Sequence, residues 1–377
     1  MNVLHITNGY AGSAVYKNLC LAEDQLNIKQ TIYCGVRSKY LIDKNKVSFP
    51  TIPQSKIIYS KVLNIYTRIN FYYKSKKIYS DILNKVGNFS DIDIIHAHTW
   101  YSDGVIAYNL HKQYNIPYIV TIRNTDLNIF FKYMLHLRSL GLEILLNAKK
   151  IIFISEIYKT RFIQNNFYIK SADLLKNKLE VIPNGIAPFW VSNTTIRKAT
   201  ISSPVKLIYI GNFTPNKNVK RLVKSIELLR KDGFNILLDI IGGSSDITGV
   251  GKYIRKKEFI TYHGRISDEV KLKDFLRKSD IFVMPSITET FGLVYVEALS
   301  QGIPILYTKG EGIDGFYDNN IGEGVIAKDI FSIKNGIKEI ITNYERYNFI
   351  PREITENHIW INIAHKYLNI YKEGSTI

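Results

Sequence analysis

Short apolar runs alternate with longer segments of helical periodicity along most of this chain. Such runs predict β-strands, and strands separated by helices favour a mainly parallel sheet covered by helices. The predicted strands of the first half are Asn2–Thr7, Gln30–Cys34, Ile92–His96, Tyr118–Ile122 and Lys150–Ile154. Those of the second half are Val205–Ile210, Leu237–Gly243, Phe259–Ser267 and Asp280–Met284. The pattern predicts an α/β protein whose first half is Rossmann-like.

A turn and a polar stretch separate the two halves. The turn lies within Val181–Trp190 (VIPNGIAPFW), whose Pro-Asn-Gly triplet favours a reversal of the chain. The polar stretch Ser192–Ser203 follows, and a final helix with apolar positions at helical spacing is predicted at Ile359–Tyr371. The predicted segments are a first domain over residues 1–186, a linker over 187–203, a second domain over 204–355 and a final helical segment over 356–377.

The segment Thr288–Gly302 (TETFGLVYVEALSQG) carries two acids eight residues apart, after a predicted strand and before a predicted helix of about ten residues. Open α/β sheets bind ligands at the carboxyl ends of their strands. We expect Glu289 to reach over a ligand from the loop and Glu297 to point at it from the helix. Backbone N–H groups at the helix start would meet an anion. A solvated acid pair on an ordinary amphipathic helix is the alternative.

The wider stretch Pro285–Ile305 (PSITETFGLVYVEALSQGIPI) closely resembles the signature of the family-four, or group 1, retaining glycosyltransferases. That resemblance implies a GT-B fold, in which two Rossmann-like domains face each other across a cleft and the C-terminal helix returns to the first domain. The opening of the chain, Val3–Leu19, also resembles bacterial surface-polysaccharide glycosyltransferases in particular.

The resemblance assigns roles within this stretch by position. Glu289 would contact hydroxyls of the donor sugar, and Glu297 would contact the ribose of the nucleotide. The backbone amides of Phe291, Gly292 and Leu293 would lie against the diphosphate.

The first predicted strand leads through Asn8–Ala14 (NGYAGSA) into a helix from about Val15. Its glycines have neither the dinucleotide-binding spacing nor the P-loop spacing, so alone they are a weak signal. In the family the equivalent loop lets the backbone approach the donor phosphates and sugar. The resemblance therefore adds Gly12 and Ser13 to the expected site.

Two histidines, His96 and His98, lie within Ile94–Gly104 (IIHAHTWYSDG), at the end of a predicted strand. They are two residues apart and so face the same side of an extended segment. Histidines in such a place are more often structural than catalytic, and because the sequence shows no third ligand we predict no metal site. The resemblance places His98 near the donor sugar, with His96 as its support.

Thr121–Asp126 (TIRNTD) aligns with a family segment that usually reads T-x-H-G-x-D. Arg123 and Asn124 replace the His-Gly pair, so no acceptor-side role is transferred to them. Asp126 is retained and is expected to orient groups in the cleft.

The loop after the strand Val205–Ile210 is the expected phosphate site. The family places an Arg one residue after the loop glycine and a Lys a few residues later, both on the phosphates. Lys217 matches that Lys, and a flexible ammonium at a helix start suits a diphosphate. Asn212 stands at the Arg position, so one cation is missing; Arg221 or Lys220 would compensate, or both are simply solvated.

Two further features come from the same template. The backbone around Gly264 and Arg265 would hold the base of the nucleotide. Near the predicted hinge the family usually has an Asp after N-G-I, and this chain has Ala187.

The formal charge is +17 and the isoelectric point is near 9.5. Nucleic acid, an anionic membrane surface and phosphorylated substrates all fit such a charge. The sequence has no zinc-finger spacing, aromatic RNA-binding signature or heptad-linked basic region, so we predict no nucleic-acid partner. The stretch Lys56–Lys77 carries six cations and no acid between aromatic and aliphatic residues. A helix of that kind can lie in a membrane interface; a core helix with a basic rim is the alternative.

The two cysteines, Cys20 and Cys34, show no metal-type spacing, and the chain starts with a predicted strand rather than a signal peptide. No run of eighteen apolar residues predicts a membrane span. We therefore expect a cytoplasmic protein. Peripheral binding at the inner face of the cell membrane is left open.

These features together predict a retaining glycosyltransferase of the hexosyltransferase type. It would move a sugar from a nucleoside diphosphate sugar, with a UDP-sugar expected, to a hydroxyl of a glycan or lipid-linked glycan in capsule, O-antigen or exopolysaccharide synthesis. By the same resemblance it would need no cofactor or metal. The alternatives are a GT-B enzyme of other chemistry, such as a nucleotide-sugar epimerase, and a non-catalytic basic membrane-binding protein.

Overall fold

The computed structural model describes residues 1–243, 249–317 and 320–375 of the chain. Residues 244–248 and 318–319 of the predicted second domain, and 376–377 of the predicted final segment, lie outside the described residues. The chain forms two compact units. The first comprises Met1–Ile154, Lys159–Gly185 and Trp360–Ile377, and the second comprises Ser155–Tyr158 and Ile186–Ile359.

The first unit is built on a parallel sheet. Its strands are β1 (Asn2–Ile6), β2 (Lys29–Gly35), β3 (Lys56–Ser60), β4 (Ile94–Ala97), β5 (Tyr118–Ile122), β6 (Lys150–Phe153) and β7 (Leu179–Val181). They lie in the order β3-β2-β1-β4-β5-β6-β7. The residues of β4 and β5 are all buried, as expected for strands covered by helices on both faces.

The helices up to residue 185 are α1 (Ala14–Gln25), α2 (Tyr66–Ile69), α3 (Phe71–Val86), α4 (Gly104–Tyr114), α5 (Arg138–Asn147), α6 (Glu156–Ile163), α7 (Asn166–Ile169) and α8 (Ala172–Leu175). A π-helical turn spans Asp126–Phe131. Helix α1 begins after Ser13, whose Oγ accepts a hydrogen bond from the Val15 N–H, and α3 begins after Asn70, whose Oδ1 accepts one from the Tyr73 N–H. Polar caps of this kind fix where a helix starts.

The second unit has its own parallel sheet. Its strands are β8 (Val205–Gly211), β9 (Ile236–Gly242), β10 (Ile260–Tyr262), β11 (Ile281–Val283), β12 (Ile305–Thr308) and β13 (Gly322–Val325), in the order β10-β9-β8-β11-β12-β13. Its helices are α9 (Pro188–Ser192), α10 (Val219–Lys231), α11 (Val250–Ile254), α12 (Glu269–Lys278), α13 (Leu293–Ser300), α14 (Ile330–Thr342) and α15 (Pro351–Glu356). Helix α10 buries Leu222, Val223, Ile226 and Leu229, which lie on one face at helical spacing.

The last helix, α16 (Trp360–Ser375), belongs to the first unit. Its buried residues Trp360, Ile363 and Tyr367 pack in one cluster with Leu19 of α1 and Ile94 of β4. The helix thus completes the core of the first unit.

Several boundaries differ from the sequence-based prediction. The basic stretch Lys56–Lys77 is not one helix: its start forms β3, because the β-branched and aromatic residues there pair with β2. The strand expected at Phe259–Ser267 is only Ile260–Tyr262, since Gly264 adopts a positive φ and ends it. Helix α13 has eight residues rather than about ten. Strands β7, β12 and β13 were not predicted.

Candidate functional site

The loop between β11 and α13 carries Glu289, and the side chain of Asn216 holds this loop in place. The Oδ1 atom of Asn216 accepts hydrogen bonds from the backbone N–H of Thr288 at 3.0 Å and from its hydroxyl at 2.8 Å. The Nδ2 group of Asn216 donates to the Thr288 carbonyl at 2.8 Å. Three hydrogen bonds to one residue fix the backbone next to Glu289. Sequence analysis did not identify Asn216.

Glu289 and Lys217, both predicted as catalytic, are in direct contact. The Lys217 Nζ lies 2.5 Å from Glu289 Oε2, and both side chains are mostly buried. Lys217 ends a short 3-10 turn, and the next residue, Asn218, has a φ of 58°, which turns the chain into α10. The side chain of Asn218 donates to the carbonyl of Pro285, which ties this turn to the end of β11. The structure therefore brings together two groups that lie 72 residues apart in sequence.

A further acid, Glu311, lies against Glu289, and sequence analysis missed it. The backbone N–H of Glu289 donates to Glu311 Oε2 at 3.1 Å, and the hydroxyl of Tyr158 donates to the same atom at 3.1 Å. The neighbouring Gly312 has a φ of +58°, and a Cβ there would lie 3.2 Å from the Glu289 side chain. A signal was present, because glycines recur at 310, 312 and 315 directly after the strand β12.

The start of α13 is open to an anion. Gly292 precedes the helix with a φ of +80°, and within the part of the chain that the structure describes no side chain caps its first N–H groups. A Cβ at Gly292 would lie 2.5 Å from the Tyr295 ring, so glycine is required both by the backbone and by this contact. The side chain of Phe291 is buried in the core, which leaves only its backbone available to a ligand.

Glu297 lies in the second turn of α13 and is partly buried. Burial, and secondly the charge of Glu269, raise the pKa of its carboxyl to about 7. Among the described residues, no group donates a hydrogen bond to this carboxylate. Its carboxylate form therefore has no donor among these residues, and the raised pKa means that the acid form is also populated at neutral pH.

The other predicted residues of the second unit lie at the same edge of the sheet. Asn212 follows β8, and Gly264 and Arg265 follow β10, so all three lie at the carboxyl ends of parallel strands. Asn212 and Arg265 are exposed. Arg221, considered as a substitute for the missing family Arg, donates to Asn218 Oδ1 at 3.0 Å. This bond holds the turn after Lys217.

In the first unit, His98 belongs to a buried cluster with His96 and His5, the last of which sequence analysis missed. His98 Nε2 and His5 Nδ1 share a hydrogen bond of 3.0 Å, and the rings of His96 and His98 stack at 3.8 Å. His96 is hydrogen bonded to the hydroxyls of Tyr371 at 2.7 Å and Thr121 at 2.9 Å. Burial lowers the pKa of His96 and of His98 well below the usual range. Both rings are therefore neutral at pH 7.

The ring nitrogens of these three histidines are close enough to one another to be tested as a metal site. His5 Nε2 lies 3.1 Å from Glu23 Oε2, and its other nitrogen is bonded to His98. Both nitrogens of His96 are also engaged, whereas His98 Nδ1 and His5 Nε2 have no hydrogen-bond partner among the described residues. Because His5 and His98 bond to each other and both nitrogens of His96 are engaged, the cluster fits a hydrogen-bond network better than a set of metal ligands.

Asp126 joins the loops that follow β4 and β5. Its carboxylate accepts hydrogen bonds from the backbone N–H groups of Trp100 and Tyr101, both at 3.1 Å, and of Arg123 at 2.9 Å. Burial raises the pKa of this carboxyl to about 6. Arg123, to which we gave no role, donates through Nε to the His98 carbonyl at 2.9 Å. Asp126 and Arg123 together fix the backbone that presents His98.

Gly12 and Ser13 lie at the end of the loop after β1. Ser13 caps α1, while Gly12 is exposed, and apart from its chain neighbours no atom of the described residues lies within 4 Å of the position that a Cβ would take. Gly12 does not have a positive φ, so the backbone conformation does not require glycine there. Open space beside the backbone is the feature that this loop offers a ligand.

None of the helices in the described ranges has both the length and the apolar composition needed to cross a membrane.

Two family models match the chain. One, described as glycosyl transferases group 1, matches residues 192–355, and one described as glycosyltransferase family 4 matches residues 32–188. A similar protein is the uncharacterized glycosyltransferase MJ1178 of Methanocaldococcus jannaschii, which is 27% identical over 81% of this chain and 82% of its own. Another is the capsular polysaccharide biosynthesis glycosyltransferase CapM of Staphylococcus aureus, which is 24% identical over 60% of this chain and 63% of its own.

Among solved structures, the sucrose-phosphate synthase of Thermosynechococcus elongatus matches with a TM-score of 0.74 and 17% identity. The match covers 99% of this chain and 98% of that one. At this identity the match shows the fold alone, and the predicted GT-B fold is confirmed.

Proposed function

Because the chain belongs to the group 1 glycosyltransferases, we propose that it moves a sugar from a nucleoside diphosphate sugar to a hydroxyl of a glycan or lipid-linked glycan. We propose that it retains the anomeric configuration and that a UDP-sugar is the donor. The observation that supports this most directly is the Lys217–Glu289 contact beside the uncapped start of α13. A movable cation and free backbone donors next to a carboxylate suit a ligand that has both a diphosphate and hydroxyl groups.

Donor binding would exchange partners within this pair. The diphosphate takes the ammonium of Lys217, since a multiply charged anion competes well against one carboxylate in a mostly buried place. The carboxylate of Glu289 is then free to accept hydrogen bonds from sugar hydroxyls. The N–H groups at Phe291, Gly292 and Leu293 hold the phosphate oxygens, and Glu297 accepts from the ribose. Gly264 and Arg265 contact the base of the nucleotide, and Asn212 lies beside the phosphates.

The proposed reaction uses the leaving group as its base. The acceptor oxygen forms a bond to the anomeric carbon on the face from which the diphosphate departs, and the carbon–oxygen bond to the phosphate breaks. The proton of the acceptor hydroxyl passes to the departing phosphate oxygen. Lys217 and the helix amides stabilise the negative charge that grows on the diphosphate. His98 contributes to binding of the sugar as a neutral ring that Asp126 and Arg123 hold in place. The loop at Gly12 and Ser13 contributes as well.

The biological setting that we propose is bacterial polysaccharide synthesis at the cytoplasmic face of the cell membrane. Similarity to a capsular polysaccharide glycosyltransferase supports the pathway class. The basic aromatic stretch Lys56–Lys77 supports membrane contact, because Tyr66, Ile69 and Tyr72 are exposed next to cations. Changing the cations Lys61, Lys76 and Lys77 to Gln should weaken sedimentation with anionic vesicles. Changing Lys85, Lys149 and Lys170, which are exposed elsewhere on the same unit, serves as the charge-matched control.

The main proposal is tested with a panel of UDP, GDP and ADP and their sugars. A ligand that binds only the folded protein raises the melting temperature, so thermal shift identifies the base and the sugar. Turnover is then measured with the donor selected, and the anomeric configuration of the product is read by NMR. Incubation with donor alone detects epimerisation. If no nucleotide sugar binds or is turned over, the proposed function is wrong.

A further inference from the structure

The first unit contains a basic cavity of about 530 Å³ outside the residues predicted for the donor. It lies where α2 and α3 meet the loops that follow β4 and β5. Three of its lining residues are the basic residues Arg37, Arg68 and Lys74, and His136 adds an imidazole ring. None of the described lining residues is an acid. A cavity with this lining favours an anion.

Lys74 is the innermost of these cations. Its Nζ donates to the hydroxyl of Ser102 at 2.8 Å, and within the described ranges this is the hydrogen bond that its ammonium makes. An ammonium has three donors, so two remain for a ligand. Burial lowers the pKa of Lys74, while the nearby Asp103 raises it. A partly desolvated ammonium with a neutral partner binds an anion more strongly than a solvated surface lysine does.

The uncharged part of the lining is mixed. Thr67, Asn70, Ser102 and Thr125 are polar, and its apolar part is formed by Ile69, Phe71, Tyr72, Phe130 and Met134.

Large apolar side chains that line the cavity, or that are next in sequence to its lining residues, are exposed. Tyr66 is 69% exposed, Ile69 80%, Tyr133 68% and Leu135 59%. Exposed apolar groups of this size mark a binding surface for an apolar partner. Cations inside and apolar groups outside fit an amphiphile with an anionic head.

The position of the cavity connects it with the candidate site. Ser102 lies in the loop after β4, which also carries His98, and Thr125 lies in the loop after β5, next to Asp126. Both loops lie at the carboxyl edge of the sheet and are joined by the hydrogen bonds of Asp126. A molecule held at Lys74 is therefore next to the loop that presents His98. A flat membrane surface would not need a recessed cation at that place.

We propose that this cavity binds the phosphate group and the adjoining apolar chain of a lipid-phosphate acceptor. The inference rests on the proposed function and narrows it, because it selects a lipid-linked acceptor over a free glycan. The phosphate oxygens accept from Lys74 and the two arginines. The first part of the chain packs against Phe130 and Met134.

The test measures binding of soluble probes to the full-length protein by calorimetry, in the absence of membranes. The probes are geranyl phosphate, which has both the phosphate and the apolar chain, inorganic phosphate and geraniol. Because a phosphate could also occupy Lys217, each titration is repeated in the Lys217→Met variant. We expect geranyl phosphate to bind more tightly than either partial probe, with the same affinity in both backgrounds.

Lys74→Met is compared with Lys76→Met, which removes the same charge from an exposed position of α3 that does not line the cavity. Lys74→Met should weaken geranyl phosphate binding by about tenfold or more, the usual loss for a charge-assisted hydrogen bond. Lys76→Met should leave the binding of geranyl phosphate unchanged. Phe130→Ala should weaken the binding of geranyl phosphate but not the binding of inorganic phosphate. Melting temperatures confirm that the variants fold, and Lys74→Arg keeps the charge if Lys74→Met does not fold.

Equal losses in the two lysine variants, or loss of binding in the Lys217→Met background, would overturn the proposal. Binding to anionic vesicles alone, reduced equally by Lys74→Met and Lys76→Met, would assign this surface to the bulk membrane instead. The outcome does not depend on turnover. If geranyl phosphate binds through Lys74 but no nucleotide sugar is used, the proposed function fails and the lipid-phosphate site stands.

Discussion

The carboxyl edges of the two sheets carry their polar groups in opposite ways. In the second unit, Lys217 and Glu289 are charged, partly accessible and paired with each other. In the first unit, His96 and His98 are buried and neutral and are bonded to hydroxyls and to another ring. The charged pair of the second unit can exchange its partners for a ligand, whereas the histidines of the first unit are held by their own hydrogen bonds.

This difference reflects the cost of burying charge. A lone ion in the interior is destabilising, so buried groups become neutral or are paired. Asp126 shows the intermediate case, because three backbone N–H groups compensate its burial. We infer that the second unit supplies electrostatic stabilisation and that the first unit supplies shape and fixed hydrogen bonds.

The largest expected effect is on turnover when the cation of the second unit is removed. Lys217→Met should lower kcat by about 100- to 1,000-fold, the range for loss of one transition-state donor. Lys220→Met removes the same charge three residues later from an exposed side chain and should have little effect. Steady-state kinetics with the donor found in the panel measures both. Equal activity of the two variants would remove Lys217 from the chemistry.

In the first unit, the largest expected effect is on stability. Asp126→Ala leaves two buried backbone N–H groups and one partly buried N–H group without their acceptor and should cost about 3 kcal/mol. Asp173→Ala, at an exposed position of the same unit, should change stability by less than about 0.5 kcal/mol. Thermal unfolding compares the variants, and hydrogen exchange at Trp100 and Tyr101 locates the change. Unchanged exchange there would show that Asp126 does not hold these loops.

Glu297 should show a stability effect that depends on pH. Its pKa rises from 4.5 to about 7 on folding, so the native state binds the proton more tightly than the unfolded state does. The stability from this group is therefore fully present below pH 4.5 and is lost as the pH rises through 7.

Glu297→Gln, which cannot ionise, should then be more stable than the parent at pH 8. Because the side chain is partly exposed, we expect a gain of only about 1 kcal/mol, or roughly 2–4 °C. The gain should disappear at about pH 4, and binding of the nucleotide should weaken. A gain of the same size at both pH values would contradict the raised pKa. Glu269→Gln serves as the control for the neighbouring charge.

The smallest effect concerns the neutral histidines. Since burial lowers the pKa of His98 well below its usual range, the ring should not titrate between about pH 6 and 8. His98→Gln should change the level of turnover but not the shape of its pH profile in that range. A profile step near pH 6.5 that disappears in the variant would show that His98 ionises, and the two sheet edges would then be less different than we infer.

Prediction from sequence succeeded best where the signal was local. The apolar runs predicted as the strands Asn2–Thr7 and Tyr118–Ile122 form strands at Asn2–Ile6 and Tyr118–Ile122, and the helix expected from about Val15 begins at Ala14. It failed for Gly322–Val325, whose two glycines carry no strand signal and which is a strand only because β12 pairs with it. It also failed for His5, Asn216 and Glu311, because each acts through a partner far away in the chain.

The sequence by itself determined the family signature, the acids at 289 and 297, and the strand–loop–helix order around them. These three features can be predicted from residue spacing and backbone chemistry because each lies within one short segment of the chain. Only the tertiary structure decided that Lys217 contacts Glu289, because β8 and β11 are neighbours in the sheet and their carboxyl ends deliver both loops to one place. It also decided that His98 is neutral, since its burial depends on β1, β4 and α16 packing together.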